Sequence, residues 1–451
     1  MKDYLSSGAA RRGTTDRETR AERRSIRGCG QAARGPLKRR GGGGTPVLLV
    51  GIDWADAEHV YCVMDEAGTT LASGSIPHTP EGLATLFTAI AAHAHQPGGV
   101  AVALETAQGL LVSALLDQGF IVYAVNPKAV DRHRERFRVA GSKSDVRDAW
   151  VLATLLRTDR ALYQPLLPDS EAAQELRVLT RDRAELIRTR TMLSNQLTAC
   201  LKAYFPAFLD FFADPDRPVA LAVLQQWPTP TALRSASLRR LETFLRQHHQ
   251  PDAAVKAREI HTRLTRPAFQ VTPVILRTKA RLAQTLGHQL RALAEELASY
   301  EAEIRRVLRL HPDGELYRSL PGAGELLAAR MVGELGDNRD RYRDPAIAQA
   351  AAGTAPVTRA SGTTRVVHVR RACIHPFRET MWHFAFSSTN HCAWAKAYYC
   401  QARKRGKKHA EAVRLLGNIW LRIIIAMRRD HRSYDETIFL HAREAHLAVA
   451  S

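Results

Sequence analysis

At 451 residues the chain is long enough for two to four domains with substantial cores, and its 45% apolar content excludes global disorder. Its 65 Lys+Arg against 45 Asp+Glu leave a formal charge of +20 and a pI near 10.1, which points to a polyanionic partner, nucleic acid above all. The six cysteines (Cys29, Cys62, Cys200, Cys373, Cys392 and Cys400) include no CxxC pair, which argues against a disulfide framework or zinc site and for a reducing, cytoplasmic setting. A membrane span is not expected either, because the greasiest stretch, Ile419 to Met427, is broken by Arg422.

Residues 1–46, rich in Arg, Gly and Ser/Thr and ending in four glycines, read as a disordered basic arm. Order is expected from 47 to 165. Val47 to Asp53 reads as a buried strand ending on an acid, and His59 to Met64 and Thr70 to Ile76 complete a meander. A helix starts at Thr79-Pro80-Glu81. A fourth strand, Val100 to Leu104, ends at Glu105; the helix Leu110 to Gln118 closes at Gly119; Ile121 to Val125 is a fifth strand. Asn126-Pro127 then opens a helix carrying Arg132 and Arg134, candidate nucleic-acid contacts together with Lys143. This strand and helix order is that of a ribonuclease-H-like α/β domain, and functional groups in such sheets gather at the carboxyl ends of strands. Asp53 and Glu105 would share one edge.

Ser142 to Trp150 opens an amphipathic helix on which Asp145 and Asp148 project from one face, with Ser144 placed to cap it. Two such acids alone are ordinary for a helix start, where they suit the dipole. Joined by Asp53 and Glu105 they form a quartet whose mutual repulsion calls for cations. All-oxygen ligation suits Mg²⁺ or Mn²⁺, and two ions about 4 Å apart are a common device of phosphodiester chemistry.

Gly51-Ile52-Asp53, Leu104-Glu105, Asn126-Pro127 and Lys143-Ser144-Asp145-Val146-Arg147-Asp148-Ala149 together resemble the DEDD-type, RuvC-like insertion-sequence transposases. This bridge-RNA-guided group, called IS-one-ten, includes the Piv-type DNA invertases. The resemblance implies an acidic quartet binding magnesium, double-stranded DNA as substrate, a guide RNA and a dimeric or tetrameric assembly.

Between 166 and 312 two long helices, Glu171 to Tyr204 and Val274 to Leu310, carry leucines near heptad spacing and are expected to pair as an antiparallel helical or coiled-coil stem. The resemblance implies that this stem serves protomer association and guide-RNA contact. The short helices of 206–272 suggest no role. From 313 to 432 a mostly helical domain begins with Leu320-Pro321-Gly322-Ala323-Gly324, a helix-hairpin-helix-like segment in which Gly322 and Gly324 would admit a DNA phosphate. Ala351 to Arg365 is similar to the family's C-terminal segment, in which the serine before a glycine attacks DNA; carried over, that residue is Ser361, and Arg359, Arg365 and Arg370 would bind the phosphate. Arg370 to Pro376 departs from the family's turn there. His368, His375, His383 and His391 are too irregular for a metal site, and Trp382, Phe384, Phe386, Trp394, Tyr398 and Tyr399 read as core. Arg403, Lys404, Arg405, Lys407 and Lys408 form a basic run suited to a phosphate backbone, and His409 to Arg429 is a last amphipathic helix before an uninformative 433–451 tail.

The expectation is an α/β plus all-α DNA transposase or site-specific recombinase, in which the quartet holds metal and Ser361 forms a phosphoserine link to DNA. The alternatives are an invertase or junction nuclease using water, a non-catalytic bridging protein, and, more remotely, a sugar-kinase-like ATPase.

Overall fold

The computed structural model describes residues 48–94, 96–107, 109–137, 144–267, 270–361 and 364–441. The basic arm and Lys143 lie outside them. The chain divides into two compact units, one formed by the residues up to Pro168 together with those from Asp435 on, and the other spanning Asp169–Tyr434. The expected stem and C-terminal domain thus fall within a single unit. Among the described residues no helix is long and apolar enough to cross a membrane.

The first unit begins with β1 (Leu48–Asp53), β2 (Glu58–Asp65) and β3 (Thr70–Pro77), followed by α1 (Pro80–Ala91), β4 (Val100–Leu104), α2 (Leu110–Asp117), β5 (Ile121–Ala124), α3 (Pro127–Glu135) and α4 (Asp145–Asp159). The mixed sheet has order β3-β2-β1-β4-β5, with β1, β4 and β5 parallel, an arrangement compatible with the ribonuclease-H-like expectation. β1 and β4 are covered on both faces and accordingly read as continuous apolar runs. Leu48, Val50, Ile52, Val100, Val102 and Leu104 meet Leu86 and Ile90 of α1 and Leu111 and Leu115 of α2. Leu49, Ala101 and Ala103 face the other way, onto Val130 of α3 and Ala149, Leu152 and Ala153 of α4.

Gly51 decides how close α4 comes. A Cβ there would penetrate the Ala149 carbonyl oxygen and stand 2.9 Å from the Leu152 side chain, so the helix backbone rests directly on the strand. The direction of α4 follows from a second point: Arg157, near its far end, lies over the β2–β3 turn at Gly68, beside Asp65, which pairs with Leu48 at the start of β1. The helix therefore runs antiparallel to β1, and its first turn is carried towards Asp53. Replacing Gly51 with Ala must push backbone from backbone, and we expect a loss of roughly 3 kcal/mol in stability by denaturant unfolding. Gly98→Ala, where nothing lies within 4 Å, is the control; equal behaviour of the two variants would disprove the close-approach account.

The second unit contains α5 (Glu171–Tyr204), α6 (Ala207–Phe211), α7 (Pro218–Gln226), α8 (Pro230–Ser235), α9 (Leu238–Gln247), α10 (Ala253–Leu264), α11 (Pro273–Leu310), α12 (Gly314–Arg318), α13 (Glu325–Leu335), α14 (Pro345–Ala351), the hairpin β6 (Val357–Ser361) and β7 (Thr364–His368), α15 (His375–His391), α16 (Ala393–Lys404) and α17 (His409–Asp430). α5 and α11 pair antiparallel, tied by Arg183 to Glu301 at one level and by the Cys200 thiol to the Lys279 carbonyl at another. Helices α6 to α10 are a cap with its own core, in which Phe208, Phe211, Leu224, Trp227 and Ile260 close over Leu197, Leu201, Leu286 and Leu290 at one end of the pair. Residues 206–272 thus have a structural role that their sequence did not suggest. Towards the start of α5, the buried Asp169 carboxylate binds Arg177 and, at 2.7 Å, Arg341, while Arg181 makes a two-pronged bond at 2.9 Å to Glu334 of α13.

His311 is buried just after α11; its Nδ1 accepts from the Asp313 amide, and its Nε2 stands 3.6 Å from Asp337. Burial lowers its pKa below the usual 6.5, and the two aspartates only partly oppose this. A histidine that is harder to protonate when folded stabilises the fold above 6.5, and that stabilisation is lost as pH falls below 6.5 towards the folded value. The melting temperature should therefore fall between pH 7 and pH 5, and fall less steeply in His311→Gln. Equal slopes would exclude His311 as the source.

Candidate active site

Three elements of the first unit present the four acids. The β1–β4 register ends on the pair Ile52 and Leu104, so Asp53 and Glu105 each follow one residue later at the carboxyl ends of adjacent parallel strands, which lie about 4.8 Å apart. Alternation along the strands gives them the face shared by Leu49, Gly51, Ala101 and Ala103, the α4 face. α4 brings Asp145 in its first position and Asp148 one turn on, and its antiparallel course directs both towards that edge. Asp145 is exposed, Glu105 exposed, Asp53 half-buried and Asp148 buried. Ser144 occupies the N-cap position with extended backbone, but its side chain makes no capping hydrogen bond.

Asp148 has a partner that spacing could not reveal. Arg134 of α3 places Nε 2.9 Å from Asp148 Oδ1 and also bonds Asp131 at 2.8 Å. The Nε–Oδ1 contact is an ion pair without hydrogen-bond alignment, so Asp148 Oδ1 is a buried acceptor that no hydrogen bond satisfies. Arg134, expected as a nucleic-acid contact, is instead largely enclosed and spent on carboxylates, whereas Arg132 is exposed. Arg136 and the buried His133 both face Asp159, at 3.4 Å each.

The donor types fit a hard divalent cation: two carboxylates at neighbouring strand ends and two on the first turn of α4, one with a buried oxygen that no hydrogen bond satisfies. The closed cage is not formed, since among the described residues no three His, Cys, Asp or Glu side chains stand together as a metal site. Trp54, next to Asp53 and 44% exposed, lies against His59, which is itself 2.8 Å from His78.

In the second unit Ser361 is the last residue of β6, paired with Thr364 across an exposed hairpin. The signal for a hairpin was present in the two residues Gly362-Thr363 between runs rich in Val and Thr. Register separates the expected phosphate ligands: Arg359, two residues before Ser361, shares its face, whereas Arg365 pairs with Ala360 and lies on the opposite one. Arg370 is half-buried beyond β7.

The two candidate phosphate glycines differ. Gly322, at φ +82, has no room for a Cβ against Ser387 and His391, and its carbonyl accepts from the Ser387 hydroxyl at 2.8 Å, so it serves packing against α15. Gly324 is the exposed N-cap of α13 with open space around it. Arg403, Lys404, Arg405, Lys407 and Lys408 are all exposed in and around the α16–α17 turn. Phe386, expected as core, is 40% exposed.

Removing the Arg134 guanidinium leaves the Asp148 carboxylate buried and uncompensated. Arg134→Gln should cost about 3 kcal/mol in metal-free buffer by denaturant unfolding. A loss well under 1 kcal/mol would mean that Asp148 is neutralised by something else.

Residues 50–206 match a transposase family model of the DEDD IS110 type, and residues 314–400 match the transposase IS116/IS110/IS902 family. The chain is similar to a Streptomyces coelicolor protein named for the transposase of the IS117 mini-circle, with 33% identity over 86% of this chain and 95% of that one. It is also similar to the 44.8 kDa protein of insertion element IS116 from Streptomyces clavuligerus, with 30% identity over 86% and 96%, and to the 42 kDa protein of insertion element IS900 from Mycobacterium paratuberculosis, with 28% identity over 86% and 97%. With both family models matched in chain order and a relative of 33% identity covered almost end to end, the chain belongs to the IS110/IS116 family of insertion-sequence transposases.

Proposed function

We propose that this transposase cleaves and rejoins DNA strands, with Asp53, Glu105, Asp145 and Asp148 as the ligands of divalent cations and Ser361 as the nucleophile. The observation that carries the reading is the placement of Asp53 and Glu105 at neighbouring strand ends on the face to which Gly51 admits α4. Bound there, Mg²⁺ or Mn²⁺ would polarise the scissile phosphate and help to ionise the attacking hydroxyl.

Ser361 suits attack on a large substrate because it stands exposed at the tip of a hairpin, with Arg359 on its face to receive the phosphate charge. The hairpin contains no carboxylate, so a base or metal from elsewhere must take part in ionising the serine. In the step itself the Ser361 Oγ–phosphorus bond forms as the bond to the leaving deoxyribose oxygen breaks, and the serine proton ends on that oxygen. Rejoining reverses the exchange with a new strand end and frees the serine. One phosphodiester bond replaces another, so no nucleotide triphosphate is consumed. Target choice by a guide RNA and assembly as a dimer or tetramer complete the proposal.

Ser361→Ala should abolish strand cleavage and the covalent adduct seen on denaturing gels with end-labelled element DNA, while Asp145→Asn should remove cleavage at any Mg²⁺ concentration. Cleavage unchanged in Ser361→Ala would leave water as the nucleophile and sink the serine mechanism. Full recombination by protein freed of nucleic acid would sink RNA guidance.

A further inference from the structure

We propose that Phe386, Trp382 and His409, with the cations of residues 403–408, bind an unpaired stretch of DNA by stacking a base on Phe386. α15 directs Phe377, Met381, Phe384, Ala385 and Ser388 into the core. Phe386 turns outward and stays 40% exposed, with Trp382 one turn before it, their rings stacked at 5.7 Å and 29°. His409, the first residue of α17, sets its ring edge-on to both, at 5.9 and 5.3 Å. Its Nδ1 is held 2.9 Å from the Tyr399 hydroxyl. The platform is therefore fixed before any ligand arrives.

A single exposed phenylalanine is ordinary on a protein surface. What sets this one apart is its connection, through His409, to five exposed cations. Arg403 donates to the Lys407 carbonyl at 2.8 Å, which shapes the turn. Lys407 pairs with Glu411 at 2.9 Å, and among the described residues no ion pair involves the other four. An aromatic face beside a chain of cations is the arrangement that takes bases on one side and backbone phosphates on the other. Bases within a duplex are already stacked on their neighbours and offer no free face, so the platform selects unpaired strand. The choice of DNA rests on membership of a transposase family; neither Ser361 nor the acidic quartet is required.

The test uses the full chain and a fluorescent oligo(dT), followed by anisotropy, with a duplex of the same length as control. Phe386→Leu, which keeps the apolar bulk but loses the π-face, should weaken single-strand binding about tenfold and leave duplex binding unchanged, while Phe386→Tyr should bind as the parent does. A 2-aminopurine placed in the oligonucleotide should be quenched by the parent and not by Phe386→Leu. Lys407→Ala with Lys408→Ala should lower the salt dependence of binding by about one charge each. The proposal is overturned if Phe386→Leu binds the single strand normally, or if it loses single strand and duplex alike, the mark of a purely structural residue. Phe386-dependent binding of an RNA of like sequence more tightly than the DNA would also overturn it, and would make RNA the occupant.

Discussion

The contact on which the first unit depends is that of Gly51 with the backbone of α4. Because no side chain separates strand from helix there, Ala149 and Ala153 can lie against β1. That depth determines where the first turn of α4 arrives. Had β1 carried a valine at this position, the alternation of Leu49, Gly51 and Asp53 on one face would be the same, yet α4 would stand off the sheet and Asp148 would leave its buried place. The small residues Ala101 and Ala103 on β4 extend the same flat seat. The face that buries α4 is thus the face that ends in Asp53 and Glu105.

Burying a carboxylate at that place has an electrostatic cost, and the chain offsets it from within. Arg134 supplies a guanidinium to Asp148 from a different helix. The same economy recurs in the second unit, where Arg177 and Arg341 neutralise Asp169, Arg181 neutralises Glu334, and Arg339 binds Asp313. These paired arginines are therefore not a nucleic-acid surface, and since each ion pair cancels in the sum, the net charge of +20 resides on other side chains. What remains open to solvent is concentrated, as in the turn between α16 and α17 and on the β6–β7 hairpin.

The hairpin shows how register separates side chains that are neighbours in sequence. In a loop, Arg359 and Arg365 would be equivalent neighbours of Ser361. In an antiparallel pair the two-residue period assigns one of them to the serine's face and the other to its back. Gly322 makes the same point from the other side: a glycine that reads as a phosphate cradle is held by Ser387 and His391 in a space with no room for a side chain.

Strand and helix order in 48–159, the two long helices and the position of Asp53, Glu105, Asp145 and Asp148 at the ends of their elements were legible in the sequence because each follows from local pattern: apolar runs ending on acids, a 3.6-residue period, and Pro and Gly at helix ends. The family motifs were legible for the same reason, being short and contiguous. Which charges meet was not. Arg134 and Asp148 lie on two helices separated by a connection whose path no spacing predicts. The cap over α5 and α11 arises from packing among five helices, none of them informative alone. Phe386 is apolar and at helical spacing, and only the position of its neighbours leaves it outside the core. Local periodicity determines elements and faces; the meeting of side chains distant in sequence is decided by packing, and it took the tertiary structure to give it.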